Sequence, residues 1–511
     1  MLKIRPVIRI TLVALTALLL AGCYQPAARY EPWQAPKTEP TPTPTHAVEM
    51  ISTPVAVTPL PEGQVDASPT PDPVRILPTQ RSEKVEYYVK SGDTLAKIAL
   101  AYQVSVLQII QENQIANPDL IEVGQLLIIP PASVNARGTD FKIIPDAELV
   151  YSPSASAFNV YDAVQNGGGY LVGYTDVIDE EIFNGAEVVQ RVADENSINP
   201  RLILAMLEYQ SGWVTNPSPD EKSLLYPMGY YDFWRQGLYK QLSWVCNELN
   251  RGFYLWQINA LAVWTLADGT VVAIDPTING GTAGLQYFFG ILNGKQGWDQ
   301  VVSEGGFIQT YQKLFGNPFN YAYEPLIPDG LVQPELILPL PAGETWSFTG
   351  GPHGGWNDGS AWAALDFAPP GKPMGCMRSI YAATSASEGM VVRAGNGAVV
   401  VDLDGDGIEQ TGWTIHYLHI DAIGRVEVGT QLEYGDIIGY PSCEGGFSTA
   451  THLHIARRYN GVWIAADGDV PFEMEGWVAV SAGIEYDGYL VKDERSIEAW
   501  NGQFAINQIG R

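Results

Sequence analysis

The sequence predicts a multidomain α+β protein in which a small βααβ domain, a mainly α domain and a mainly antiparallel β domain follow one another along the chain. Three observations carry this expectation. Residues 87–130 read as strand, helix, helix, strand inside one short span. Residues 187–210 hold two apolar-periodic stretches, the second opened by Asn199-Pro200, a cap followed by a first-turn proline. The segments around 366, 416–419 and 452–454 alternate apolar and polar residues as strands do.

Bulk composition narrows the functional classes. A chain of 511 residues with 46% hydrophobic and 17% charged residues can build at least two sizeable cores. Its net charge of −28, with only 29 Lys and Arg, excludes nucleic acid as a partner, because a phosphate backbone is held by concentrated cations. The acidity suits a soluble exported surface.

Lys3, Arg5 and Arg9 form a basic start, residues 10–20 an apolar run, and Leu20-Ala21-Gly22-Cys23 closes it. This tetrapeptide resembles a bacterial lipoprotein processing site. The resemblance implies a signal peptide over 1–22, lipidation of Cys23, and a protein held on a bacterial membrane facing the cell wall. The apolar run is too short for a lasting transmembrane helix. Export lets the remaining cysteines, Cys246, Cys376 and Cys443, pair in one of three ways. A Cys376–Cys443 disulfide is expected because both lie in one domain, which leaves Cys246 free and buried.

Residues 23–84 are rich in Pro and Thr, as in Glu39-Pro40-Thr41-Pro42-Thr43-Pro44-Thr45, and read as a stiff spacer that cannot build a core. In residues 85–131, Tyr87-Tyr88-Val89 is a strand, 90–93 a turn, and Thr94 caps a helix carrying Leu95, Ile98 and Ala99 on one face. A second helix spans about 106–113, and 126–129 is a strand ended by Pro130 and Pro131. The phrases YYVKSGDTLAKIA, IIQEN and VGQLLIIP make the unit resemble the LysM domain. That resemblance implies binding of N-acetylglucosamine-containing glycan in a shallow groove formed by Gly92, Asp93 and Thr94 with Asp119 and Ile121.

Residues 145–334 read as the mainly helical domain. NPRLILAMLEYQSGW, GFYLWQINAL and IDPTINGGTAGLQYFFGIL resemble the lysozyme-like fold of goose-type lysozymes and lytic transglycosylases. Those enzymes need a protonated glutamate before the serine that ends the first helix. Here Gln210 precedes Ser211, and an amide cannot supply that proton. Glu208 lies two residues away and, about 200° around the helix, faces elsewhere. The domain is therefore expected to bind glycan or add reach without hydrolysing it.

Residues 341–480 carry the chemistry. Five of the six histidines fall between His353 and His454, and neutral imidazole is a good zinc ligand. His452 and His454, two apart in an alternating segment, share a strand face, with Leu453 opposite. Glycines around His353 permit a sharp turn, while Leu365 and Phe367 leave Asp366 on the other face of its strand. In Thr414-Ile415-His416-Tyr417-Leu418-His419, alternation places Tyr417 with His419 and turns His416 away. Together these segments resemble the β-lytic, lysostaphin-like zinc peptidases. The resemblance implies Zn²⁺ held by His353, Asp366 and His454, with His419 and His452 as catalytic histidines lining the open side. Tyr417 is expected to add an oxyanion hydrogen bond. Asp402, Asp404 and Asp406 resemble a calcium loop, although Trp413 stands where its twelfth ligand would be. Residues 481–511 read as a C-terminal extension.

The expected function is that of a peptidoglycan endopeptidase, targeted to glycan strands by LysM and hydrolysing stem or cross-bridge peptides with a zinc-activated water. The alternatives are a non-catalytic wall-binding scaffold or hydrolase activator, and a muramidase using Glu208 or Glu195 as its acid.

Overall fold

The computed structural model describes residue 69 and residues 73–511, apart from 116, 119 and 372–374. The signal segment, Cys23, most of the Pro/Thr-rich stretch and Asp119 therefore lie outside the described residues. No helix among the described residues is long and apolar enough to cross a membrane.

The first domain pairs strand Val85–Tyr88 antiparallel with Leu126–Ile129, with helices Leu95–Ala101 and Val106–Asn113 between them in sequence. Each helix starts at a polar cap. The Thr94 hydroxyl accepts from Lys97 N–H, and Ser105 with Gln108 forms a reciprocal capping box. Leu95, Ile98, Ala99, Ile109, Leu127 and Ile129 fill the core between helices and strands. The domain docks on the helical domain through Gln103, which donates to Ala260 O at 3.0 Å and accepts from Ala262 N–H at 2.9 Å. The chain ahead of it is docked too. Arg75 donates to Trp256 O at 2.9 Å, so the end of the expected spacer lies against the helical domain.

The helical domain is built around helices Gly185–Asn196, Pro200–Ser211, Leu238–Gln257 and Gly280–Leu292. The last two touch at a glycine contact, where a Cβ on Gly252 would lie 2.9 Å from Gly284 Cα. That approach allows Trp244, Leu249, Phe253, Leu285 and Phe288 to interleave in one core.

The principal sheet of the C-terminal domain runs in the order Gln431–Leu432, Gly389–Gly395, Ala398–Asp402, Trp413–Leu418, Leu453–Tyr459, Ala364–Ala368, Thr345–His353, Gln508–Gly510. Neighbouring strands in this order are antiparallel. One face carries Phe348, Leu365, Phe367, Val399, Val401, Ile415, Leu453 and Ile455 into the domain's own core. Residues of the opposite face, among them Ala364, Trp413 and Ala456, join the helical domain's core. The central strands are thus buried on both faces, which explains near-continuous runs such as Ala398-Val399-Val400-Val401.

Two expected boundaries change. The 145–334 and 341–480 segments share a hydrophobic core across the sheet's outer face instead of packing separately. Residues 481–511 are part of the fold, not an extension. Strands Gly488–Lys492 and Arg495–Glu498 continue a sheet begun by Glu473–Met474 and Trp477–Ser481. Gln508–Gly510 forms the edge of the principal sheet, with Leu490 and Ile509 in its core. Beneath it the buried Asn507 amide donates to Phe348 O at 2.9 Å and Gly502 O at 2.8 Å.

Candidate functional site

Asp366 and His454 face each other in register across adjacent strands, while their neighbours Leu365, Phe367 and Leu453 point into the core. His353 ends the next strand, whose pairing with the Asp366 strand shifts on either side of Gly350. No side chain fits at Gly350, because a Cβ there would lie 2.5 Å from Asp366 Oδ2. The sequence thus brings two imidazoles and one carboxylate together by strand register plus one irregularity.

The hydrogen bonds fix which nitrogens face inward. His353 Nδ1 donates to Gly351 O at 2.8 Å, and His454 Nε2 donates to Gly355 O at 3.1 Å. His353 Nε2 and His454 Nδ1 are left with lone pairs, 3.1 Å apart. Asp366 Oδ1 is 3.3 Å from each and is buried without a hydrogen-bond partner. Three electron-rich atoms converging without protons between them would repel one another. A cation resolves the conflict. Ligands about 2.0–2.1 Å from a tetrahedral zinc lie about 3.4 Å from one another, close to the spacings seen here. The donor set and its geometry fit the metal.

The electrostatics agree with the arrangement. Burial opposes charge on Asp366, yet positive charge on its imidazole side holds its carboxyl well below the usual range, the place a metal cation would fill. Burial pushes His419 down to about 3, with His452 and His454 adding to the effect, so its imidazole is neutral. His419 Nδ1 donates to Glu444 O at 3.2 Å, and His452 Nδ1 donates to Ala450 O at 2.8 Å. Each keeps Nε2 as an acceptor. Their rings lie 4.5 Å apart, and His452 Nε2 is 3.5 Å from Asp366 Oδ1.

The 414–419 segment requires a correction. Tyr417 does not share a face with His419. It is buried with Ile415 in the core, and its hydroxyl accepts from Ala386 N–H at 2.7 Å. His416 lies on the ligand-bearing face, paired with Ala456, but packs against Trp463 and accepts from Arg458 at 3.2 Å. His419 reaches the site because it stands just beyond the strand, at φ 65°, where the left-handed backbone breaks alternation. Tyr417 is therefore placed to support the core, not an oxyanion.

Two site neighbours escaped the sequence reading. Tyr486 stacks on His353 with ring centroids 4.2 Å apart, and Trp356 follows the Gly355 carbonyl that orients His454. Trp356 follows the glycines around His353 but was given no role there, and Tyr486 lay in the segment expected to be an extension.

The remaining candidates are placed as follows. Cys376 and Cys443 form a disulfide, and Cys246 is a buried free thiol. In the first domain, Asp93 accepts from Lys90 N–H at 2.6 Å and from the Tyr87 hydroxyl at 2.7 Å, Gly92 turns at φ 86°, and Thr94 caps its helix. Gly124 N–H donates to Val89 O at 2.7 Å, bringing the Ile121-side turn beside the 90–93 turn. Oxygens of Asp402, Asp404 and Asp406 lie within 4.8 Å of one another. The loop uses two of these carboxylates itself, Asp402 accepting from Asp404 and Gly407 N–H and Asp406 from Ile408 N–H and Thr411. In the helical domain, Glu208 accepts from Val214 N–H, Thr215 N–H and the Thr215 hydroxyl. Glu195 pairs with Arg191 at 2.8 Å and accepts from Tyr239 at 2.9 Å.

Comparison with known proteins bears on all three domains. Residues 87–130 match the model of the LysM domain, and residues 142–327 match that of the LasA N-terminal domain. Protease LasA of Pseudomonas aeruginosa (strain UCBPP-PA14) is 26% identical over 304 residues, covering 55% of this chain and 68% of the relative. The N-acetylmuramoyl-L-alanine amidase XlyA of Bacillus subtilis (strain 168) is 38% identical over 91 residues, 18% of this chain and 30% of that protein. Among solved structures, the M23 metalloprotease pseudoalterin is 20% identical, with a TM-score of 0.28, and the match covers 34% of this chain and 99% of that one. The chain thus combines a LysM domain with sequence homologous to the protease LasA.

Proposed function

We propose that this protein is a zinc-dependent endopeptidase of bacterial peptidoglycan, cutting stem or cross-bridge peptides outside the cytoplasm. The observation that carries the reading is the convergence of His353 Nε2, His454 Nδ1 and the unpartnered Asp366 Oδ1, each 3.1–3.3 Å from the others. These three residues would hold the metal. Zinc bound there supplies a Lewis acid and brings the pKa of its water towards neutrality. His419 and His452, both anchored through Nδ1, accept the proton of the attacking water at Nε2 and return it to the leaving amine. Tyr486, stacked on His353, fixes that ring and screens one side of it from solvent.

The LysM domain would hold the enzyme on glycan strands through Gly92, Asp93, Thr94, Asp119 and Ile121, raising local substrate concentration. The helical domain, read as lysozyme-like, would contribute glycan contact without cleavage. The engagement of Glu208 and Glu195 in local hydrogen bonds and an ion pair supports that division, and so does Gln210 in place of an acid. Cys23 would carry the lipid that anchors the chain to a membrane.

Digestion of purified peptidoglycan tests the reading. The wild-type protein is expected to contain zinc and to release new amino groups without new reducing or anhydro sugar ends, while His353→Ala does neither. Release of sugar ends instead, or identical behaviour of the two proteins, would overturn it.

A further inference from the structure

Along the seam between the helical domain and the imidazole cluster lies a groove of about 580 Å³ that the chemistry above does not use. Its metal-side wall is Trp356 and Gly446. A Cβ on Gly446 would stand 3.8 Å from both His419 Cε1 and the Trp356 ring, so the groove opens directly beside the catalytic histidines. The facing wall is Asp232, Trp234, Arg235 and Lys240 of the helical domain.

That wall is built on a pinned loop. Gln241, fully buried, donates to Tyr230 O at 2.8 Å and Arg235 O at 2.9 Å, and accepts from Met228 N–H at 3.3 Å. Asp232 caps the short turn by accepting from Trp234 N–H at 2.8 Å, and Tyr230 stacks on Trp244 at 3.8 Å. On this fixed backbone Tyr231, Phe233 and Trp234 are 70%, 71% and 78% exposed. Of these three, Trp234 lines the groove, and covering its exposed face with a ligand would be favourable at roughly 25 cal/mol per Å².

The chemistry of the wall selects that ligand. A peptide bound as an added strand needs a free sheet edge. This wall is instead a 3₁₀ turn, Phe233–Arg235, and the start of helix Leu238–Gln257. The broad face of Trp234 next to a carboxylate, a guanidinium and an ammonium suits a flat ring with one apolar face and a hydroxylated rim. We propose that the seam groove is a carbohydrate subsite. A sugar of the glycan strand stacks on Trp234, Asp232, Arg235 and Lys240 take its hydroxyl and amide groups, and the peptide borne by that sugar enters the histidine cluster. The inference rests on the endopeptidase reading above and names the part of the substrate that reading leaves open.

The test compares two substrates with the same scissile peptide, one attached to its disaccharide and one sugar-free, using the full chain. Trp234→Ala is expected to lower the ratio of kcat/KM for sugar-bearing over sugar-free substrate about tenfold, the scale of one lost aromatic anchor. Trp234→Phe, which keeps a stacking face, is expected to restore most of the ratio. A wild-type protein that cuts both substrates while Trp234→Ala leaves the ratio unchanged overturns the subsite and spares the endopeptidase reading. A wild-type protein that cuts neither overturns both.

Discussion

At the scale of single residues, an ionised oxygen buried without a partner is among the most expensive groups a fold can keep, and Asp366 Oδ1 is such a group. Its cost is recovered only when a cation shares it with His353 and His454. Asp366→Asn is therefore expected to weaken zinc by more than about a hundredfold, beyond the effect of outer-shell partners, as measured by competition with a chromophoric chelator. His419→Gln and His452→Gln should keep zinc and lose about 10²- to 10⁴-fold in turnover, the range of one proton-transfer group. Tyr417→Phe should act on stability alone. Losing the acceptor for Ala386 N–H should lower unfolding free energy by about 1–3 kcal/mol in urea titration, with turnover of the folded protein unchanged. Much of the cluster was legible because strand alternation and residue chemistry agree at the ligands Asp366 and His454 and at the neighbouring His452. Alternation failed at His419, whose φ of 65° lies in a turn that no local residue pattern announces.

At the scale of elements, the strand carrying His353 holds its carboxylate neighbour by leaving room for it. Gly350→Ala would place a Cβ 2.5 Å from Asp366 Oδ2, and the carboxylate must rotate away. The variant is expected to fold with near wild-type circular dichroism and to bind zinc more weakly than the parent, a pairing of results that a purely destabilising change would not give. The Cys376–Cys443 bridge closes a segment of 67 residues that contains His419. Loop-closure entropy predicts that replacing both cysteines by serine lowers stability by about 4 kcal/mol, measured by denaturant unfolding. The βααβ unit was legible because each turn and cap there is set by neighbours in sequence, Thr94 and Ser105 among them. The strands after 480 were not, because Leu490 and Ile509 are buried by partners far away in the chain.

At the scale of the whole molecule, the seam between the helical domain and the sheet is held by buried charge as well as apolar contact. Glu409 accepts from Arg393 at 2.7 and 2.8 Å and from Arg458 at 3.1 Å, and Arg458 donates across the seam to Asp194 O at 3.0 Å. No periodicity could reveal this joint, since its members come from four separate segments. The joint has a pH signature. Burial raises the Asp194 carboxyl to about 7, with Arg393 pulling it down and Glu409 pushing it up. An unfolded aspartate loses its proton near pH 4, so between about pH 4 and 7 the folded chain binds more protons than the unfolded one. Stability must then fall as pH rises through that window, and Asp194→Asn should remove this fall. Thermal unfolding of both proteins from pH 5 to 8 measures it, with the variant expected to gain most over the parent at the alkaline end. A difference between variant and parent that stays constant from pH 5 to 8 would mean that Asp194 is charged throughout and that the arginines alone set the seam's electrostatics.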